Sequence, residues 1–136
     1  MAIPREGDPI WRLYIFYFVP CELMYHHHRR LKGPFFSNEI QREEFGPEFM
    51  TFTLYWFASL FVVAEGWRGL NLTDPRIDNL INQHWDSLKL FRNAVFHYQR
   101  KDQKHVQFFD ADKFNWGEAL HAALRAFLEE HVTKTG

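Results

Sequence analysis

The sequence predicts an all-α protein: an up-and-down four-helix bundle with a kinked first helix, built by residues 1–136 as a single domain. Three observations predict it. Apolar residues recur at i, i+3 and i+4 through long segments, while strand-like alternation is scarce. Asp-Pro and Gly-Pro pairs punctuate those segments in the manner of helix starts and stops. Finally, 46 % hydrophobic and 18 % aromatic residues give a chain of 136 residues ample core material and argue against disorder.

The first helix is expected to start at Asp8-Pro9, an N-cap followed by proline at the first helical position, and to end before Gly33-Pro34. Pro20 lies inside it and is expected to kink or split it. The connection Gly33–Phe45 has room for a short helix over Ser37–Glu44. The second long helix is expected from Gly46-Pro47 to about Gly69. Its stretch Phe49–Ala64 carries no charge. A span of the bilayer needs roughly 20 apolar residues, and Thr51, Thr53 and Ser59 dilute this shorter run. It reads as a central helix buried on most sides, with no membrane partner. Ile10–Val19 is also apolar but contains Arg12.

Thr73-Asp74-Pro75 opens the third helix, expected to run to Gln99 or Arg100, with Ile77, Leu80, Ile81, His84, Leu88, Phe91 and Val95 as its core stripe. The fourth is expected from near Asn115, where Glu118 completes a capping-box pattern, to about Val132. Its stripe is Trp116, Leu120, Ala123, Leu124, Phe127, Leu128 and Val132. Between the last two helices, Val106–Phe109 reads as a short extended piece.

A formal net charge of −1 gives no general attraction to nucleic acid, so an RNA surface would have to be a local patch. Cys21 is the only cysteine, which excludes an intrachain disulfide and a cysteine-rich metal site. Glu6 and Asp8 fall where a secretory leader needs apolar residues, so a cytoplasmic location is expected. His26-His27-His28 point in different directions on a helix, and only Glu22 stands at helical spacing, so no metal and no cofactor are expected. His84 reads as a hydrogen-bonded core residue, and His121 and His131 as structural or exposed.

The run Arg92-Asn93-Ala94-Val95-Phe96-His97 is the best candidate for an active site. At about 100° per residue, Asn93 and His97 stack one turn apart, roughly opposite the core stripe, with Arg92 on the flank and Leu90 and Asp86 nearby. An apolar Leu90 on that polar face hints at a dimer contact. Glu65 ends an uncharged run and is expected either to pair with a cation such as Arg92 or to stand solvated at the helix end. Arg, Asn and His near a helix C-terminus also have an ordinary reading as surface residues favoured by the helix dipole.

This run resembles the signature of the HEPN superfamily: an arginine, four to six residues, then a histidine, often with a small polar residue directly after the arginine. The position, late in a helix of an all-helical bundle, matches as well. Leu88–Tyr98 and Val63-Ala-Glu-Gly-Trp67 are similar to small bacterial HEPN-like proteins. HEPN toxins paired with nucleotidyltransferase antitoxins carry a Tyr two residues after the motif His. Here Tyr98 follows His97 directly and Gln99 holds that place, a departure from that subgroup.

The resemblance implies a HEPN-like fold and a metal-independent endoribonuclease, as a toxin or phage-defence effector. An RNA 2′-hydroxyl would attack the adjacent phosphorus and leave a 2′,3′-cyclic phosphate and a 5′-hydroxyl. His97 suits the acid and base roles, Arg92 the phosphorane charge, and Asn93 would hold His97 or a phosphate oxygen. Glu65 and Tyr98 are supporting candidates. A homodimer would bring two such sets together, and an antitoxin protein is a further expected partner. Arg100, Lys101 and Lys104, with His105, are candidates for holding an RNA backbone, as are Arg29, Arg30 and Lys32; Tyr98 and Phe108 are candidates for stacking on bases. Solubility explains such charges equally well. Two alternatives stand beside the enzyme: a non-catalytic HEPN-like module binding RNA, a nucleotide or a protein, and a helical interaction protein in which the motif is coincidental.

Overall fold

The computed structural model describes residues 7–97 and 111–135, and all its regular structure is helical. Helix α1 (Pro9–Leu13), a π-helical turn (Tyr14–Phe18) and α2 (Val19–Ser37) follow one another without a break and form the first rod. Helices α3 (Glu39–Gly69), α4 (Pro75–Phe96) and α5 (Ala111–Thr135) are the other three.

Side-chain contacts fix the topology. From Cys21 to His28 to Phe35, α2 meets Trp56, Thr53 and Phe49 of α3 in descending order, so the two run antiparallel. Trp67, Phe61 and Phe57 of α3 meet Asp78, Trp85 and Phe91 of α4, again antiparallel. Phe49, Trp56 and Trp67 meet Phe114, His121 and Phe127, so α3 and α5 run parallel across the bundle. The result is an up-and-down bundle of four helical rods. Its core is unusually aromatic, with Trp11, Trp56, Trp67, Phe18, Phe57 and Phe61 all fully buried.

The helix starts behave as expected. Asp8 Oδ1 accepts from the amides of Ile10 (3.0 Å) and Trp11 (3.3 Å), and Asp74 Oδ1 accepts from Arg76 and Ile77 (both 3.0 Å). The residue after Asp is proline in both cases, whose missing N–H costs nothing there. Beyond α3, Asn71 adopts a left-handed φ of 55°, which asparagine tolerates, and turns the chain into α4.

Several boundaries differ from expectation. The first rod does not stop before Gly33-Pro34, and α3 starts at Glu39 rather than Gly46-Pro47. Both prolines sit inside helices. The carbonyls they leave unpaired belong to Arg30 and Glu43, which are exposed, so water can serve them. Packing holds the path: the Phe35 ring stacks on Phe49 at 4.3 Å. Asn38 alone breaks the chain between α2 and α3, and its Oδ1 accepts from Gln41 N at 2.8 Å. The expected short helix at Ser37–Glu44 is therefore the start of α3. Pro20 does not split the first rod: it stands at the start of α2, and the helical register changes in the π turn just before it.

Helix α4 kinks at His84 (φ −135°, ψ 25°), whose ring meets Trp116 edge-on at 4.8 Å. It ends at Phe96, short of Gln99. Helix α5 starts ahead of Asn115, at Ala111, and buries Phe114 and His121 in addition to much of the expected stripe. Val106–Phe109 lies outside the described residues. The apolar run expected to be central is α3; it is long and apolar enough to cross a membrane by composition, and half of its most apolar window is buried against the rest of the bundle.

Candidate active site

The α3–α4 seam positions Arg92. The buried pairs Phe61–Trp85 and Phe57–Phe91 set the register of the two helices, which leaves Arg92 on the seam's outer edge. Its guanidinium lies 4.7 Å from the centroid of the Phe61 ring. Arg92 Nε donates to Asn93 Oδ1 (2.9 Å), and Nη1 donates to Glu65 Oε1 (3.0 Å). Three fixed contacts thus orient a side chain that keeps 22 % of its surface in solvent. Among the described residues none engages Nη2. A planar cation held in this way presents its remaining donors in a defined direction.

Glu65 is 44 % exposed and joins Arg92, so of its two expected readings the structure selects the ion pair. Asn93 turns to Arg92, its own neighbour, rather than to His97. His97 is exposed and caps α4: its amide still reaches Asn93 O at 2.9 Å, but its backbone is extended (φ −132°, ψ 133°). The expected stacking of His97 over Asn93 assumed a helix continuing to residue 99 or 100. With the helix ended at Phe96, the His97 side chain leaves the helical track. Beside it, Leu90 and Phe96 are 44 % and 48 % exposed, and Phe96 packs 6.1 Å from Tyr55 of α3. Tyr98, Arg100, Lys101 and Lys104 lie outside the described residues, as do His105 and Phe108.

The second basic group is partly dispersed. Arg29 and Arg30 are exposed, but Lys32 Nζ donates to Glu118 Oε1 at 3.1 Å and ties α2 to α5. The three adjacent histidines diverge: His26 is exposed, His27 stacks on Phe52 at 4.4 Å, and His28 is fully buried. Among the described residues no three metal-ligating side chains converge.

A polar network in the interior went unread in the sequence. Trp56 Nε1 donates to His121 Nδ1 (3.2 Å), which fixes the tautomer: the proton sits on Nε2 and is donated to Glu22 Oε1 (3.1 Å). Arg125 grips the same carboxylate through Nε (2.9 Å) and Nη2. Burial raises the Glu22 pKa, but the bonds from Arg125 and His121 and the charge of Arg125 outweigh it and hold the carboxyl below its ordinary range. Burial lowers His121 to about 4, against the opposing pull of Glu22. It lowers His28 to about 3, helped by the charge of Lys32. His28 Nδ1 lies 2.6 Å from Thr53 Oγ1, and Nε2 has no partner among the described residues.

Cys21 Sγ lies 3.8 Å from His121 Nδ1, so cysteine, histidine and glutamate line up as a nucleophile, base and orienter would. The resemblance is chemical only. Cys21 is fully buried, and burial, with the Glu22 charge, pushes its thiol well above the usual range, so no thiolate forms and no substrate reaches it. The signal for this network was spacing: Phe18, Cys21, Tyr25 and His28, and Gly117, His121, Leu124 and Leu128, follow the i, i+3, i+4 rule of buried stripes. Comparison with protein-family models, curated proteins and solved structures yields no match for this chain.

Proposed function

We propose that the chain is a HEPN-like, metal-independent endoribonuclease of the cytoplasm, acting as a toxin or phage-defence effector, with Arg92 and His97 as its reacting side chains. The observation that carries this reading is the anchoring of Arg92. Asn93, Glu65 and Phe61 fix the guanidinium at the surface, close in sequence to an exposed histidine, and among the described residues none engages Nη2. A phosphorane needs such a pre-aimed multi-donor cation. His97 takes the 2′-hydroxyl proton or returns one to the leaving 5′-oxygen. A two-fold dimer across the face bearing Leu90 and Phe96 brings a second histidine, so that one ring acts as base and the other as acid. An antitoxin protein would cover the same face.

The test is cleavage of a mixed RNA pool in EDTA by the parent protein and by His97→Ala. Cyclic-phosphate ends from the parent and intact RNA with the variant are expected. Cleavage that persists in His97→Ala, or no cleavage by either, sinks the reading.

The Arg92–Glu65 ion pair favours a second reading, a non-catalytic module that binds RNA, a nucleotide or a protein, because it neutralises part of the charge a phosphorane would use. Tighter RNA binding by Glu65→Gln without any cleavage would decide for it.

A further inference from the structure

Glu65 also lines a cleft of about 410 Å³ between the first rod and α3. That volume falls in the range of small-molecule sites, roughly 300–1,000 Å³. Its apolar walls are Leu13, Val62 and Leu70, the Tyr17 ring flanks it, and Arg12 and Glu65 are its charged members. The cleft depends on how closely the first rod approaches α3 at Gly66, where a Cβ would overlap Leu13 Cδ1. Leu13 is buried, so that wall is fixed. Arg12 makes no ion pair with any described residue, whereas Glu65 is already joined to Arg92. Arg12 and Glu65 are the charged residues of the lining, and with Glu65 joined to Arg92 the charge left for a ligand is that of Arg12.

We infer that this cleft is a binding site for a small apolar monoanion, a molecule with an aliphatic or aromatic body and one carboxylate or sulfonate head, the body lying on Val62, Leu13 and Leu70 and the head paired with Arg12. An apolar cation meets Arg12 as a like charge, and a neutral apolar molecule forgoes the charge-assisted bond. The site goes beyond the ribonuclease reading and stands whether or not the chain cleaves RNA.

Octanoate is the probe, titrated into the full chain by calorimetry, with octylammonium as the charge-reversed control. Saturable one-to-one binding of octanoate at about millimolar or tighter is expected, with octylammonium silent. Arg12→Gln, an exposed substitution, is expected to weaken octanoate about tenfold, the loss of one charge-assisted pair. Val62→Trp is expected to fill the cleft and abolish binding while the circular-dichroism spectrum and melting transition persist. Equal binding of octylammonium, binding insensitive to Arg12→Gln, or no saturable binding by the parent overturns the inference; the first and last of these are read on the parent protein alone. Pelleting with phosphatidylglycerol vesicles in the absence of octanoate binding also overturns it and assigns the cleft to a bilayer surface. So does a dimer that Val62→Trp dissociates, which would make a second copy the occupant.

Discussion

The bundle carries two arginine–glutamate pairs, one bonded to a histidine and one five residues before another, and the burial of the histidine separates them: the His121 side chain is 1 % exposed, whereas His97 is exposed. Inside, the buried His121 and Trp56 meet between α2, α3 and α5, and the partly exposed Glu22 and Arg125 close the group at its rim. Outside, Arg92 and Glu65 bridge α3 and α4, and His97 follows Arg92 by five residues as the cap of α4. Inside, every polar atom of His121 is used and its ring is held neutral, so the group specifies which helices meet. Outside, Arg92 is fixed by Asn93, Glu65 and Phe61, and among the described residues none engages its Nη2. The same residue types thus build two different junctions, one closed around a buried neutral histidine and one open at the bundle surface.

The sharpest way to break this comparison is to remove a member of each group. Trp56→Ala takes away a fully buried ring and the partner of His121 Nδ1, and is expected to cost about 3–5 kcal/mol in urea unfolding. A loss near 1 kcal/mol would show that the interior network is not what ties α5 down. Gly117→Ala probes the same layer: a Cβ there would meet Phe57 Cε1 at 2.7 Å and Trp56 Cη2 at 3.1 Å. Overpacking of this kind costs about 1–3 kcal/mol, measured by the same denaturation.

Acid sharpens the contrast. His28 and His121 have folded pKa values of about 3 and about 4 against an ordinary 6.5. The unfolded chain then binds more protons in that window, so stability rises with pH. Their contribution is complete above about 6.5 and is lost as pH falls toward 4 for His121 and 3 for His28. Glu22 acts with the same sign lower down, its contribution fading as pH drops below its ordinary 4.5. Melting temperature is expected to decline from pH 7 to pH 4.5, and His28→Leu to flatten that decline. An unchanged slope in His28→Leu would show that other groups set it.

The smallest effects are expected outside. Glu65→Gln breaks a surface ion pair and should change stability by less than about 1 kcal/mol, and His97→Ala by less than about 0.5 kcal/mol, both read by thermal melts. A large loss from His97→Ala would place that histidine with the architectural group.

The sequence made the helix starts legible because Asp8-Pro9 and Asp74-Pro75 act locally: the carboxylate reaches amides two and three residues away. Pro34 and Pro47 misled because their cost is also local, whereas the gain that overrides it, Phe35 on Phe49, comes from another helix. The Arg92–Glu65 pair was foreseeable from an acid ending an apolar run. The extended backbone at His97 was not, since periodicity says nothing of where a helix frays. The burial of His28 was not legible because three adjacent histidines point first to metal chemistry, whereas His121, expected as structural or exposed, is the buried structural residue.

Asn38 is the single residue between α2 and α3, and it bears on the order in which the molecule assembles. A corner this tight makes closure of the α2–α3 hairpin cheap in loop entropy, and contacts such as His28–Thr53 span only 25 positions. Helix α5 is different: Glu22 and His121, the residues that dock it, stand 99 positions apart. Local closure is fast and long-range closure slow, so the hairpin should nucleate and α5 should arrive last. Amide exchange is then expected to find the protection of α5 lost in the first subglobal opening, with the α2–α3 pair holding until the whole chain unfolds.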